Sequence, residues 1–229
     1  MKRIATILLA VVALAVVAGS ASAALRVPQV PVATGSLQGY LNSVGESINV
    51  LTDQNAVQRW ASTVSNNATF TIQVELAGNA ASNNLGIYNA SAVAPPLYQV
   101  FPGAASAGWF AVASFRTAPV RVIVNLFDAN AASQGSNTYL GADRNDFGFY
   151  LQGPGGLFYT QDARNPNGDP QAVTYAGTGL NSGSWWLCFE DLQYSGSDHD
   201  FEDAVLFLES VNPTPVNKTT WGSLKARFH

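Results

Sequence analysis

The sequence predicts an all-β protein: an antiparallel β-sandwich of jelly-roll type with about nine strands and short helical segments near both termini. Composition is the first reason. Of the 229 residues, 47% are hydrophobic, only 11% are charged and 20 are glycine, which favours strands and turns over helices. The second reason is spacing, because from residue 68 onward short β-branched and aromatic runs alternate with turn-forming clusters.

The first 23 residues have the pattern of a secretory signal peptide. Lys2 and Arg3 precede an apolar run, and Ala21-Ser22-Ala23 supplies the small residues of a cleavage site. A membrane anchor is the alternative, but the apolar run is short and ends in small residues. We therefore expect cleavage after Ala23 and secretion to the periplasm, the cell surface or the medium, with no stable membrane span left.

The remaining chain divides into three parts. Residues 24–35 contain two prolines and suggest an extended lead-in or edge strand. Residues 36–211 are predicted to form one sandwich domain. Residues 212–229 form a basic tail that is predicted to make one or two helical turns, either packed on the domain or serving as a recognition tag.

Helical spacing occurs near the start of the domain. Leu37, Tyr40 and Leu41 recur at i, i+3 and i+4, and residues 55–61 can form a second short helix after Asp53 as its cap.

Period-two alternation or β-rich composition marks nine strands. The predicted strands are residues 69–76, 85–88, 109–115, 120–127, 147–151, 157–160, 172–175, 184–191 and 201–211. In the first, alternation places four side chains on the core face: Phe70, Ile72, Val74 and Leu76.

Charge and residue counts exclude several classes of function. Without Lys2 and Arg3 the chain has 9 basic and 15 acidic residues, a net charge of −6 that argues against nucleic acid as a partner. The single cysteine, Cys188, cannot form an internal disulfide and is predicted to be buried and inert. With His199 and His229 as the only histidines, no His-rich zinc site can form.

The charge of the domain is concentrated between Glu190 and Asp203. This stretch holds six acidic residues and no Lys or Arg. Clustered carboxylates repel one another unless they are screened, and calcium binds six to eight oxygen ligands in irregular geometry. The stretch is not an EF-hand, because the sixth position counted from Asp198 is an aspartate rather than glycine. A solvated acidic turn is the alternative to a calcium site.

Strand geometry selects which acidic residues can converge. Alternation along residues 184–191 sends Glu190 and Asp191 to opposite faces, while Asp198 and Asp200 lie two residues apart in the loop. Only some of the six carboxylates can therefore converge: Asp198 and Asp200 can aim at one centre, and Asp203 can reach it from the start of the next strand. Glu202 is excluded because it would point away from Asp203 along a strand. The acidic turn at residues 143–146 is a possible source of a further ligand.

Two further functions remain open. Aromatic faces on a sandwich can stack on sugars, so a carbohydrate-binding module is the first alternative. Its candidate rings are Trp109, Tyr159, Trp185, Trp186 and Tyr194. The third hypothesis is a glycoside-processing enzyme that uses paired carboxylates such as Glu190 and Asp203. No catalytic residue is assigned, the expected partners are a glycan or a surface protein, and the oligomeric state is left open.

Three segments resemble the bacterial secreted family catalogued as domain of unknown function 4114. They are Leu85-Gly-Ile-Tyr88, Phe147-Gly-Phe-Tyr-Leu151, and Cys188-Phe-Glu-Asp191 followed by Ser197-Asp-His-Asp-Phe-Glu-Asp203. The resemblance implies an exported β-sandwich, often adhesin-like, with a suspected calcium site. The calcium ligands that it predicts for this chain are Glu190, Asp191, Asp198, Asp200 and Asp203. The chain differs from many relatives in lacking a Pro-Glu-Pro sorting signal.

Overall fold

The computed structural model describes residues 23–33 and 35–214. The predicted signal peptide up to residue 22 and the tail from residue 215 lie outside the described residues. The helix is α1 (Ser36–Ser43), and thirteen strands follow. They are β1 (Trp60–Ser62), β2 (Asn67–Val74), β3 (Asn84–Asn89), β4 (Leu97–Phe101), β5 (Phe110–Thr117), β6 (Val120–Phe127), β7 (Ser133–Leu140), β8 (Phe147–Gly153), β9 (Gly156–Tyr159), β10 (Ala172–Ala176), β11 (Trp185–Phe189), β12 (Ala204–Glu209) and β13 (Val211–Pro213).

The strands form two antiparallel sheets, so the predicted all-β sandwich is confirmed. One sheet has six strands in the order β13-β1-β8-β3-β4, with β9 paired to β8. The other has seven strands in the order β10-β11-β12-β2-β5-β6-β7. Within the described residues, no helix is long and apolar enough to cross a membrane.

A first core fills the space between the two sheets. Phe70 of β2 packs edge-on against Phe149 of β8, and Phe149 also contacts Trp60 of β1. Strand β11 contributes Leu187 and Phe189 to the same core. These rings come from strands far apart in sequence, so packing here fixes how the two sheets face each other.

A second core covers the outer face of β10, β11 and β12. It contains Val30, Val32, Leu37, Leu41, Ile48, Val50, Val173, Tyr175, Trp186, Cys188, Phe201 and Val205. Strand β11 is therefore buried on both faces, with Leu187 toward the first core and Trp186 and Cys188 toward the second. The predicted alternation of β11 is confirmed, as is the burial of Cys188. The N-terminal segment and α1 act as a third layer.

Glu46 ties this third layer to the sheet. Its buried carboxylate accepts hydrogen bonds from the Thr178 N–H at 2.6 Å, the Asn181 side chain at 2.7 Å and Trp186 Nε1 at 2.8 Å. Burial alone would raise the pKa of Glu46, but these bonds outweigh it and lower the pKa.

Four strands differ from the sequence-based expectation. Strands β1, β4 and β7 were not predicted, and the last predicted strand is divided into β12 and β13 at Ser210, where φ is 59°. Strand β7 pairs only with β6 and is exposed along most of its length, so it carries no hydrophobic pattern. Besides its pairing with β6, the strand is held by Tyr139, which packs against the first core beside Tyr98.

The predicted helix at residues 55–61 is wrong. The Asn55 N–H donates to the carbonyl of Thr174, and Trp60 pairs with Pro213 and Phe147 in the six-stranded sheet. Long-range backbone pairing outweighs the local helical spacing here. Leu76 is also misplaced by the prediction: β2 ends at Val74, and Leu76 is 64% exposed.

Candidate metal centre

Strand pairing brings the two ends of the acidic stretch together. Phe189, the last residue of β11, pairs with Ala204, the first residue of β12. Residues 190–203 form the loop between these strands, called here the acidic loop. Glu190 and Asp191 at the start of the loop and Asp203 at its end are therefore next to paired positions on neighbouring strands.

Glu190 is the innermost acidic residue of this loop. It is 0% exposed, and its Oε1 accepts a 2.7 Å hydrogen bond from the Phe201 N–H. Its Oε2 is buried, and no hydrogen-bond partner for it occurs in residues 23–33 and 35–214. A buried carboxylate oxygen without a donor costs free energy, because nothing replaces the water it has lost.

Asp198 and Asp200 complete a three-carboxylate cluster with Glu190. One carboxylate oxygen from each residue lies within 4.8 Å of the other two. Asp198 is exposed and Asp200 half-buried, so the cluster runs from the interior to the surface. Oxygen atoms at this spacing can hold a metal ion, and the residue types fit a hard cation.

Asp191 and Asp203 lie beside the cluster rather than in it. The Asp191 N–H donates a 2.8 Å hydrogen bond to Asp203 Oδ2, and the Asn83 side chain donates a 2.9 Å bond to Asp191 Oδ2. Of the five predicted ligands, the structure therefore brings three together and uses two in contacts that hold the loop. A bound cation is not the sole means of joining the loop ends, since two backbone N–H groups bridge them.

An open cleft of about 490 Å³ lies over the cluster. Six acidic residues line it, and no Lys or Arg of the described part of the chain does so. Glu202 is among these six, although it was excluded from the predicted ligands. Phe201 has a φ of 55°, which turns the chain and delays the start of the strand to Ala204.

Burial and mutual repulsion raise the pKa values of these carboxyl groups. Burial raises the pKa of Glu190, and this effect outweighs the lowering by hydrogen bonds from the Phe201 N–H and the Ser197 side chain, while the charges of Asp200 and Asp198 add to the increase. Burial raises the pKa of Asp203 to about 7, with added repulsion from Asp191 and Glu190. Such groups resist ionisation unless a cation compensates them.

The middle of the acidic loop is attached to the N-terminal layer. His199 has a φ of 60°, and its carbonyl accepts a 2.7 Å hydrogen bond from the Ala33 N–H. Its ring stacks on Tyr194 with centroids 4.0 Å apart. Phe201 is 0% exposed and belongs to the second core. Asp198 and Asp200 thus flank a residue bonded to the N-terminal segment.

Two supporting residues escaped prediction from sequence. Asn83 reaches Asp191 across 108 positions of the chain. Gly155, in the turn between β8 and β9, lies so close to the Asp191 carbonyl oxygen that an added Cβ would be 2.0 Å from it. The Gly-Pro-Gly-Gly sequence at residues 153–156 is typical of a turn, but its contact with the acidic loop depends on tertiary packing.

The other sequence-based candidates lie elsewhere. Asp146 pairs with Arg59 at the start of β8, about 20 Å along that strand from the end that adjoins the acidic loop. The turn at residues 143–146 therefore adds no ligand. Trp185 and Trp186 are buried, so neither presents a face to a sugar.

No protein-family model matches this chain, and no curated protein or solved structure matches it.

Proposed function

We propose that this chain is an exported calcium-binding β-sandwich domain in which the ion fastens the acidic loop at one end of the fold. Its role is structural, adhesive or ligand-binding, at the cell surface or outside the cell. The signal-peptide pattern and the resemblance to the domain of unknown function 4114 family support export and a surface role.

The observation that carries the proposal is the state of Glu190. Its Oε2 is buried and has no hydrogen-bond donor among the described residues, and one oxygen of the same carboxylate lies within 4.8 Å of an oxygen of Asp198 and of Asp200. Three carboxylates at this spacing are destabilising when ionised without a counter-charge. A cation satisfies the orphaned oxygen and removes the repulsion in one step.

Calcium fits better than other ions. Each ligand offers oxygen only, the nearest histidine ring is engaged with the Tyr194 carbonyl at 2.7 Å, and Cys188 is buried within the second core. Softer metals prefer nitrogen and sulfur ligands, and magnesium demands a stricter octahedron. An irregular loop with carboxylates at different depths suits calcium.

Thermal melts of the mature chain test the proposal. Calcium at 100 times its dissociation constant should raise the free energy of unfolding by about 2.7 kcal/mol, which is about 5–10 °C in Tm for a chain of this size. The variant Asp198→Asn with Asp200→Asn should lose this response. Glu209→Gln, an exposed acid at the far end of β12, is the control and should keep it.

An unchanged Tm between chelator and 10 mM calcium would contradict the proposal. So would an equal calcium response in the double variant and the control, because that result would move the ion away from the acidic loop.

A further inference from the structure

We infer that the calcium ion serves as a bridge to a second ligand, and that this ligand is a neutral saccharide presenting vicinal hydroxyl groups to the acidic cleft. This inference rests on the calcium site proposed above and goes beyond it by naming the chemical class of the ligand.

The first step is the coordination number. Calcium takes six to eight oxygens, and three carboxylates supply three to six. One oxygen of Glu190 is already shared with the Phe201 N–H. Asp198 is exposed, so the side of the ion away from Glu190 faces the cleft. Positions remain there for oxygen atoms that the protein does not provide.

The second step is the size of the cleft. A volume of about 490 Å³ has room for about sixteen waters at about 30 Å³ each, far more than an ion and its hydration require. It lies within the range of about 300–1,000 Å³ that is typical of small-molecule sites. The cleft is therefore large enough for one or two sugar rings beside the ion.

The third step is charge. Six acidic residues line the cleft, so one divalent ion does not neutralise them when they are ionised. An anionic ligand such as a carboxylate or phosphate would meet this repulsion. The remaining carboxylates accept hydrogen bonds but donate none when ionised, so a ligand has to bring its own donors.

A hydroxyl group meets both requirements, because its oxygen can coordinate the ion while its hydrogen is donated to a carboxylate. An ammonium or guanidinium group donates hydrogen bonds but cannot coordinate a cation. Neighbouring hydroxyls on a sugar ring place two such groups side by side. Asp203 and Glu202 both line the cleft and are the acceptors that the inference assigns to these hydrogens.

Apolar side chains flank the same cleft. Leu76 is 64% exposed and Leu192 is 43% exposed, and both line it. Burial of exposed leucine side chains against an apolar surface is favourable in free energy, and the C–H face of a sugar ring provides such a surface. These leucines would contact the sugar ring as aromatic side chains do in other sugar sites.

Calorimetric titration with methyl glycosides of mannose, galactose, glucose and fucose, followed by a glycan array, tests the inference. Each titration is run in calcium and in chelator, and calcium binding is measured separately. We expect at least one glycoside to bind at least tenfold more tightly in calcium. Leu76→Ser with Leu192→Ser should weaken it at least fivefold and change calcium affinity less than twofold. Leu180→Ser, a fully exposed leucine at the other end of β11, is the control and should change neither.

The outcomes separate the two proposals. Calcium binding without any saccharide would overturn this inference and leave the calcium site intact. Saccharide binding of equal strength in chelator would also overturn it, as would binding of a lysine-rich peptide in place of the sugars. Absence of calcium binding would overturn the calcium site and the saccharide bridge together.

Discussion

The backbone N–H of Phe201 donates a 2.7 Å hydrogen bond to Oε1 of Glu190, and this bond joins the two ends of the acidic loop. Phe201 belongs to the second core, while Oε2 of Glu190 belongs to the proposed ion site. One hydrogen bond therefore connects the candidate metal centre to the packing of the N-terminal layer.

Replacing Glu190 by glutamine should have opposite effects with and without calcium. Gln keeps an oxygen for the Phe201 N–H but removes the buried charge, so in chelator at pH 8 the variant should be more stable than wild type by about 1–2 kcal/mol. In calcium the order should reverse, because wild type alone gains from the ion. Urea unfolding under both conditions measures this, and a variant less stable than wild type in chelator would argue against an unsatisfied Glu190.

The stability of the metal-free protein should rise as the pH falls from 8 toward 5. Burial raises the pKa of both Asp203 and Glu75 to about 7, above their unfolded values of 3.8 and 4.5. A folded state that binds protons more tightly than the unfolded state gains stability below its raised pKa, and loses it as the pH rises through about 7.

In calcium, the stability of the protein should instead fall as the pH decreases toward 5. The ion binds ionised carboxylates, so its contribution to the free energy of unfolding is lost as these groups are protonated. Melts at pH 5, 6, 7 and 8 in chelator and in calcium provide the comparison. Chelated protein that becomes less stable between pH 8 and pH 6 would conflict with the burial of these groups.

Calcium should slow hydrogen exchange in the N-terminal layer as well as in the acidic loop. The Ala33 N–H bonds to the His199 carbonyl, and Phe201 packs in the same core as Leu37 and Leu41. Ordering of the acidic loop should therefore reduce local opening of the N-terminal layer that it contacts. Exchange measured by mass spectrometry should show protection at residues 30–41, with the β5–β6 hairpin as an internal control. Protection confined to residues 190–203 would show that the loop and the N-terminal layer are not coupled.

Gly155→Ala should destabilise the protein and weaken calcium binding. The new Cβ would lie 2.0 Å from the Asp191 carbonyl oxygen, so the turn or the acidic loop has to move. Overpacking of this kind costs about 1–3 kcal/mol. Gly196→Ala is the matched control, since its Cβ would have no atom within 4 Å and should be tolerated. Equal stability of the two variants, by urea unfolding, would contradict the close approach.

The sequence predicts the sandwich and most hairpins because alternation and turn residues are local. Residues 120–127 show β-rich runs of full strand length, and β6 has these bounds. Strand β7 escapes prediction because most of its side chains are polar and exposed, and its place in the sheet depends on backbone pairing with β6. Backbone pairing of this kind produces no local pattern in the sequence.

The candidate site is predicted in part for a similar reason. Acid clustering identifies Glu190, Asp198 and Asp200, but the positive φ of Phe201 breaks the strand on which the exclusion of Glu202 depended. Asn83 reaches the site only through folding, across 108 positions. A contact between residues so far apart in the chain produces no local sequence pattern.

Calorimetric titration of calcium into chelator-treated mature protein tests the central claim most directly. We predict one ion per chain, with the heat abolished in the Asp198→Asn, Asp200→Asn variant and retained in Glu209→Gln. No heat in the wild-type protein, or the same heat in the double variant, would contradict a calcium site built on Glu190, Asp198 and Asp200.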